Sequence, residues 1–297
     1  MSVRADVYRP ARSVRLGRRL ERSAVRAAVV LICVAWSLPT VGLLISSFRS
    51  QAAMTSSGWW DALLHPFEAA QWTVRNYVTV LGAEGLGSAF INSLVVTIPA
   101  TALPLTIAAF AAYAFAWTRF PGRRLLFGLV VALLVVPLQM ALVPLLRLYT
   151  ELDLNGTFLG VWLAHAGFGL PLAIFLLYNY ISQLPGELFE SAAIDGASHL
   201  QVFLRLVVPL STPALASFAI FQFLWVWNDL LIAMVYLGTD EAVAVLPTQL
   251  YQLIGTRGEA WYLLTAGAFV TMILPMAVFL ALQRYFVRGI VTGSLKG

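Results

Sequence analysis

Charge is scarce in this chain: 11% of its 297 residues are Asp, Glu, Lys or Arg, against roughly 25% in an average soluble domain. With 60% hydrophobic residues and a mean hydropathy of +0.82, there is too little charge to cover a water-facing globule of this size, so several segments must use lipid as their solvent. Cysteine is represented by Cys33 alone, which excludes an intrachain disulfide framework and a cysteine metal cluster. The three histidines, His65, His165 and His199, stand far apart with no metal-ligand spacing; they read as packing or surface residues, and no metal site is expected. No G-x-x-x-x-G-K-S/T loop occurs anywhere, so nothing in the chain can cradle ATP phosphates.

What the chain has in abundance is long apolar runs. A helix crossing about 30 Å of hydrocarbon needs roughly 20 apolar residues, and six runs meet that length: Ser23 to Phe48, Gly87 to Trp117, Leu125 to Leu146, Thr157 to Ile181, Phe203 to Leu237 and Trp261 to Phe286. The expected fold is all-α and polytopic, with six transmembrane helices over 23–286 between a basic tail at 1–22 and a second tail at 287–297. Pro99, Pro104, Pro137, Pro144, Pro171, Pro209, Pro213 and Pro275 fall inside these runs. Membrane helices tolerate proline where neighbours satisfy the carbonyls it frees, at the cost of kinks.

Topology follows from where the basic residues lie. Fifteen of the nineteen Lys and Arg fall in the N-terminal tail, the second-to-third loop, at Arg205, and at the C-terminal end, whereas Arg49, Arg75, Arg147 and Arg257 fall on the other side. The positive-inside rule makes both termini cytoplasmic, as six crossings require. That placement argues against a nucleic-acid arm as the role of the arginine-rich start. The first apolar run is too long for a signal peptide and lacks a small-residue cleavage site, so its helix is expected to be retained. On the outer side, the segment from about Arg49 to Leu86 carries Trp59, Trp60 and Trp72 and reads as one or two short helices at the membrane interface. The outer segment Gly238 to Ala260 holds Asp240, Glu241, Arg257 and Glu259 and is too polar to insert.

The longest inner loop, 182–202, has a pattern of two short helices and a break. Glu187 to Ile194 favours a helix, Gly196 is free to take the positive φ that ends it, and Ser198 with Gln201 forms a capping box for the next. Small residues at Ser191, Ala192, Ala193, Gly196 and Ala197 allow close approach of another protein, and Glu190 and Asp195 offer charge. From the residues alone, a docking knuckle and a loop that merely joins two helices both fit. In the fifth run Phe218, Gln222, Trp225 and Asp229 recur on one helical stripe, with Asn228 beside it. Aromatic faces combined with polar groups suit a sugar pathway, although Asp229 also fits a hydrated interhelical contact. Asn92, Gln139 and His165 read as interhelical hydrogen-bonding groups.

The loop resembles the signature of the membrane-spanning permease subunits of binding-protein-dependent ABC importers: E-A-A, three residues, Gly, nine residues, I-x-L-P. Glu190-Ser191-Ala192, Gly196 and Leu206-Val207-Val208-Pro209 stand in that register, with Ser for the first Ala, Leu for Ile and Val for Leu. Phe90-Ile91-Asn92-Ser93-Leu94, Trp227-Asn228-Asp229 and the ending from Gln283 are similar to the carbohydrate branch, the maltose-type importers, and within it to the smaller permease and the α-glucoside permeases. The resemblance implies a second permease, two ATPase subunits that bind ATP and Mg, an extracytoplasmic sugar-binding protein, and a bacterial-type inner membrane. It implies a contact of Glu190 with the ATPase, a turn at Gly196, and an ATPase contact by Arg288 to Gly297. Two rivals remain at this point. One is an ABC permease for another small solute, and the other is an ion-coupled secondary transporter, which would call for buried ionisable pairs and an internal repeat.

Overall fold

The computed structural model describes residues 12–256 and 260–294. Its helices are α1 (Arg12–Ser47), α2 (Gln51–Ser56), α3 (Asp61–Leu64), α4 (Arg75–Leu81), α5 (Leu86–Trp117), α6 (Arg123–Leu133), α7 (Leu138–Glu151), α8 (Phe158–Ile181), α9 (Gly186–Ile194), α10 (His199–Val202), α11 (Val208–Leu210), α12 (Thr212–Asn228), α13 (Leu231–Tyr236), α14 (Leu246–Thr256) and α15 (Trp261–Ser294). Among the described residues the one β pairing is an isolated antiparallel bridge between Arg49 and Trp72.

Four helices are long and apolar enough to cross a membrane, in α1, α5, α8 and α15, and two bent pairs bring the number to six if each is one crossing. The third and fifth expected runs are therefore not single rods. Between α6 and α7 the axis turns by 101°. Three successive short-range bonds, Leu134 to Val131, Val135 to Ala132 and Val136 to Leu133, tighten the chain before Pro137, which starts α7 from an extended backbone. The fifth run bends by 75° between His199–Leu210 and α12, after a π-turn at Phe203–Val207 and between Pro209 and Pro213. It also ends earlier than Leu237: Asp229 leaves the helical region at φ −79°, ψ 112°, and its Oδ1 accepts the Ile232 N–H to start α13 separately.

The bundle is built on α5 and α8. Ala108, Ala109 and Ala112 face Ala173, Leu177 and Ile181 in one buried cluster, the small side chains allowing close backbone approach without water's help. In α8, 44% of the most apolar stretch is buried, against 6% in α1. Accordingly α1 runs along the rim, with Trp36 81% exposed.

Three prolines act as interhelical acceptor sites. Pro99, Pro104 and Pro275 have no N–H to give the carbonyls four residues earlier. Those carbonyls are taken instead by side chains of neighbouring helices: Trp162 Nε1 donates to Val95 O at 2.9 Å, Gln222 Nε2 to Ala100 O at 3.2 Å, and Trp227 Nε1 to Thr271 O at 3.0 Å. Each proline thus loses a bond within its helix and gains one between helices. Trp227→Phe keeps the ring but removes its donor, so it is expected to destabilise the bundle by about 1–3 kcal/mol. A lowered Tm of the purified chain in detergent, with Trp36→Phe unchanged, is the check.

The segment after α1 is more structured than one or two interfacial helices: α2, α3, a short turn at Ala69–Gln71 and α4 follow one another. A buried arginine organises it. Arg49 donates to the Ser57 carbonyl at 2.8 Å, the Ala53 carbonyl at 2.9 Å and Ser57 Oγ at 2.6 Å, while Asn76 holds the Ser47 and Arg49 carbonyls. Ser57 Oγ in turn donates to Asp61 at 2.9 Å, and this bond, ahead of the nearby His65 and Arg49, holds the Asp61 carboxyl below the usual carboxylate range. A lowered carboxylate pKa stabilises the fold above the unfolded value and loses that contribution as pH falls through the folded one. Limited proteolysis is therefore expected to find the 49–64 segment resistant at neutral pH and more easily cut below about pH 4.

Candidate functional sites: a knuckle and a membrane cavity

At the end of the bundle where α5 stops and α8 gives way to α9, the chain forms a compact knuckle. Gly196 sits at φ +71°. Its N–H bonds the Ala193 carbonyl, and the Ala197 N–H bonds that of Ala192, the paired bonds of a Schellman helix end. Ser198 and Gln201 then exchange reciprocal bonds at the start of α10. Ala192 and Ala197 pack inward. Glu190, Ser191, Asp195 and Gly196 are exposed, and Ile194 is 86% exposed beside them. A short helix that shows both carboxylates and an uncovered isoleucine to solvent has the makeup of an interaction surface.

The knuckle is fixed to α5. The rings of Trp117 and Phe189 stack with centroids 3.6 Å apart and 14° between planes, and Trp117 Nε1 donates to the Ile181 carbonyl at 2.9 Å. Tyr113 Oη and His199 Nδ1 lie 3.0 Å apart, and Phe110 stacks on Phe203 at 4.2 Å. A push on α9 therefore reaches the last turns of α5 through aromatic contacts, without a flexible loop between. The expected ATPase contact by Arg288 to Gly297 rests on side chains outside the described ones, and residues 295–297 lie outside the described chain.

The stripe on α12 is divided. Phe218 is sealed in the cluster beneath the knuckle. Gln222 is fully buried, its Nε2 donating to the carbonyls of Ala100 and His165. Together with Trp225 it lines a cavity of about 530 Å³ between α6–α7, α8 and α12. Asn228 is exposed and bonds its own helix at Leu224. Asp229 turns inward: its Oδ2 lies 3.2 Å from His165 Nε2, the side chains being 9% and 1% exposed. That is an ion-pair distance without the alignment of a hydrogen bond, and it joins α8 to the α12–α13 break. A separation of 64 positions carries no spacing signal, which is why the pairing was not legible from the sequence.

Asn92 donates to the carbonyls of Ala242 and Ala244, and Ser93 Oγ accepts the Leu246 N–H at 2.8 Å. The start of the polar outer segment, residues 238–246, is thus folded back on α5 and leads into α14. Gln139 is exposed at the start of α7.

An all-α bundle with four to six apolar crossings, an exposed helical knuckle and a cavity among its helices has the makeup of a membrane-spanning subunit. The family model for binding-protein-dependent transport system inner membrane components matches residues 105–292, and the chain belongs to that family. It is 59% identical over 276 residues to an osmoprotective compounds uptake permease protein of Synechocystis sp., covering 93% of each chain. An alpha-glucoside transport system permease protein of Rhizobium meliloti is 42% identical, with 92% of this chain and 97% of that one covered. Among solved structures, a chain of a bacterial ABC transporter involved in the import of the acidic polysaccharide alginate superposes with a TM-score of 0.69 at 23% identity, covering 94% of this chain and 100% of that one. The protein is an all-α inner-membrane permease subunit and not itself an enzyme.

Proposed function

We propose that this chain forms half of the translocation pathway of an ATP-driven importer for neutral glycosides, with a second permease as the other half. Two ATPase subunits would dock on the knuckle and hold ATP and Mg, and an extracytoplasmic binding protein would deliver the solute. Both termini and the knuckle then face the cytoplasm, as the arginine distribution requires. The observation that carries this reading is the knuckle itself: Glu190, Ile194 and Asp195 are presented outward while Trp117 and Phe189 join the element to α5. Closure of the ATPases would move α9, then α5. From α5 the Ala100 carbonyl bonded to Gln222 leads to α12 and the cavity wall. The relative named for alpha-glucoside transport supports a neutral hydroxylated cargo, as does a cavity lined without carboxylate, ammonium or guanidinium groups.

Reconstitution of the two permeases with the ATPase in vesicles tests this. Uptake of an α-glucoside is expected only with ATP and the loaded binding protein, and this chain alone is expected to hydrolyse no ATP. Uptake driven by an ion gradient without the ATPase would replace this reading with a secondary transporter.

A further inference from the structure

The geometry points to a subsite for one uncharged, hydroxylated ring inside this chain, and we propose that the cavity between the broken third crossing and α8–α12 is that subsite. The inference rests on the importer reading above and narrows it, because only Gln222 and Trp225 of the α12 stripe reach this cavity.

Gln222 is the key. Its Nε2 is committed to the carbonyls of Ala100 and His165, the first of which is free to accept because Pro104 stands four residues on. The amide is therefore held in one orientation, and its Oε1 is left buried with no partner. A buried acceptor without a donor costs about 1–3 kcal/mol, and since Gln222 is fully buried, a ligand hydroxyl relieves that penalty when the wall at Gly169 opens toward the cavity. The oxygen lies beside Gly169, another lining residue, 2.6 Å from where a Cβ would stand, so glycine at this position is what gives the amide its place in the wall. Around it the lining offers the rings of Tyr149, Phe168, Phe221 and Trp225, faces suited to the C–H surface of a sugar. No ionised side chain is present to match a charged solute. The volume, about 530 Å³, falls within the range of small-molecule sites.

Gly167 provides a clean block. It lines the cavity, and a Cβ built on it meets nothing within 4 Å, so Gly167→Leu starts its side chain in open space, and leucine favours the helix over glycine. In vesicles holding the full complex, Gly167→Leu is expected to keep the second permease and the ATPase assembled but to lower α-glucoside taken up per ATP by about tenfold, equivalent to about 1.4 kcal/mol. Gly169→Ala, which displaces the Gln222 amide, is expected to raise the KM for uptake about three- to tenfold, the worth of one hydrogen bond. Unchanged uptake per ATP in Gly167→Leu overturns the subsite. Loss of the second permease from purified Gly167→Leu complex overturns it in favour of a subunit contact. A phospholipid seen by native mass spectrometry on the wild type and missing from Gly167→Leu, with uptake unaltered, overturns it in favour of lipid. Failure of the importer reading itself is separate: the wild-type ATPase would then not respond to the binding protein at all.

Discussion

Phe189→Ala is expected to leave the ATPase bound to the complex while cutting binding-protein-stimulated ATP hydrolysis and uptake by about tenfold or more, a loss of at least about 1.4 kcal/mol in transition-state terms. The reason is geometric. Phe189 points away from the exposed face of α9 and stacks on Trp117 at 3.6 Å, so its removal leaves Glu190, Ile194 and Asp195 on display but opens a gap between α9 and α5. The Schellman end at Gly196 and the capping box at Ser198 are local to the backbone and hold the knuckle's shape without it. A structural collapse would instead release the ATPase. Glu190→Ala gives the complementary result: the stack is intact, and what weakens is recruitment, read as less ATPase in a pull-down. Trp117→Ala should behave like Phe189→Ala and add the loss of the bond to Ile181.

The second large effect concerns the opposite end of the bundle. Asp229→Leu takes away the neighbour of Nε2 in His165, which is 1% exposed and keeps only the contact of Nδ1 with the Val161 carbonyl, and it also removes the acceptor that begins α13. Leaving a buried polar group unpaired costs about 1–3 kcal/mol, and the lost start of α13 adds to it. His165→Leu alone should be milder, because Asp229 keeps its bond to Ile232 and lies at a helix break. The double variant is expected to recover part of the loss, since no imidazole is then left unpaired, although the Ile232 N–H still lacks its acceptor. Tm values for the four proteins in detergent complete a double-mutant cycle. Additive losses would show that the 3.2 Å approach contributes nothing.

Local rules carried much of this fold. The apolar runs place the membrane helices, Gly196 and the Ser198–Gln201 box lie in the backbone states their residue types require, and the prolines mark carbonyls that neighbouring helices must satisfy. Hydropathy reads length and not straightness, so the break at Pro137 and the stop at Asp229 were hidden inside long apolar windows. Nor does a sequence tell which donor meets a freed carbonyl: Trp162, Gln222 and Trp227 reach Val95, Ala100 and Thr271 only because tertiary packing brings them there. The α12 stripe illustrates the same limit. Its spacing put Phe218, Gln222, Trp225 and Asp229 on one side, yet the bundle distributes them among a core cluster, a cavity wall and a histidine contact.

That the knuckle is the ATPase-docking element is most directly tested by crosslinking. Cys33 is the chain's one cysteine, so Cys33→Ala gives a background into which Glu190→Cys or Thr239→Cys can be placed, at exposed sites on opposite ends of the bundle. With a short bifunctional thiol reagent on the assembled complex, Glu190→Cys is expected to join this chain to the ATPase in an ATP-dependent manner, and Thr239→Cys is expected not to. Capture of the ATPase from Thr239→Cys, with none from Glu190→Cys, would contradict it.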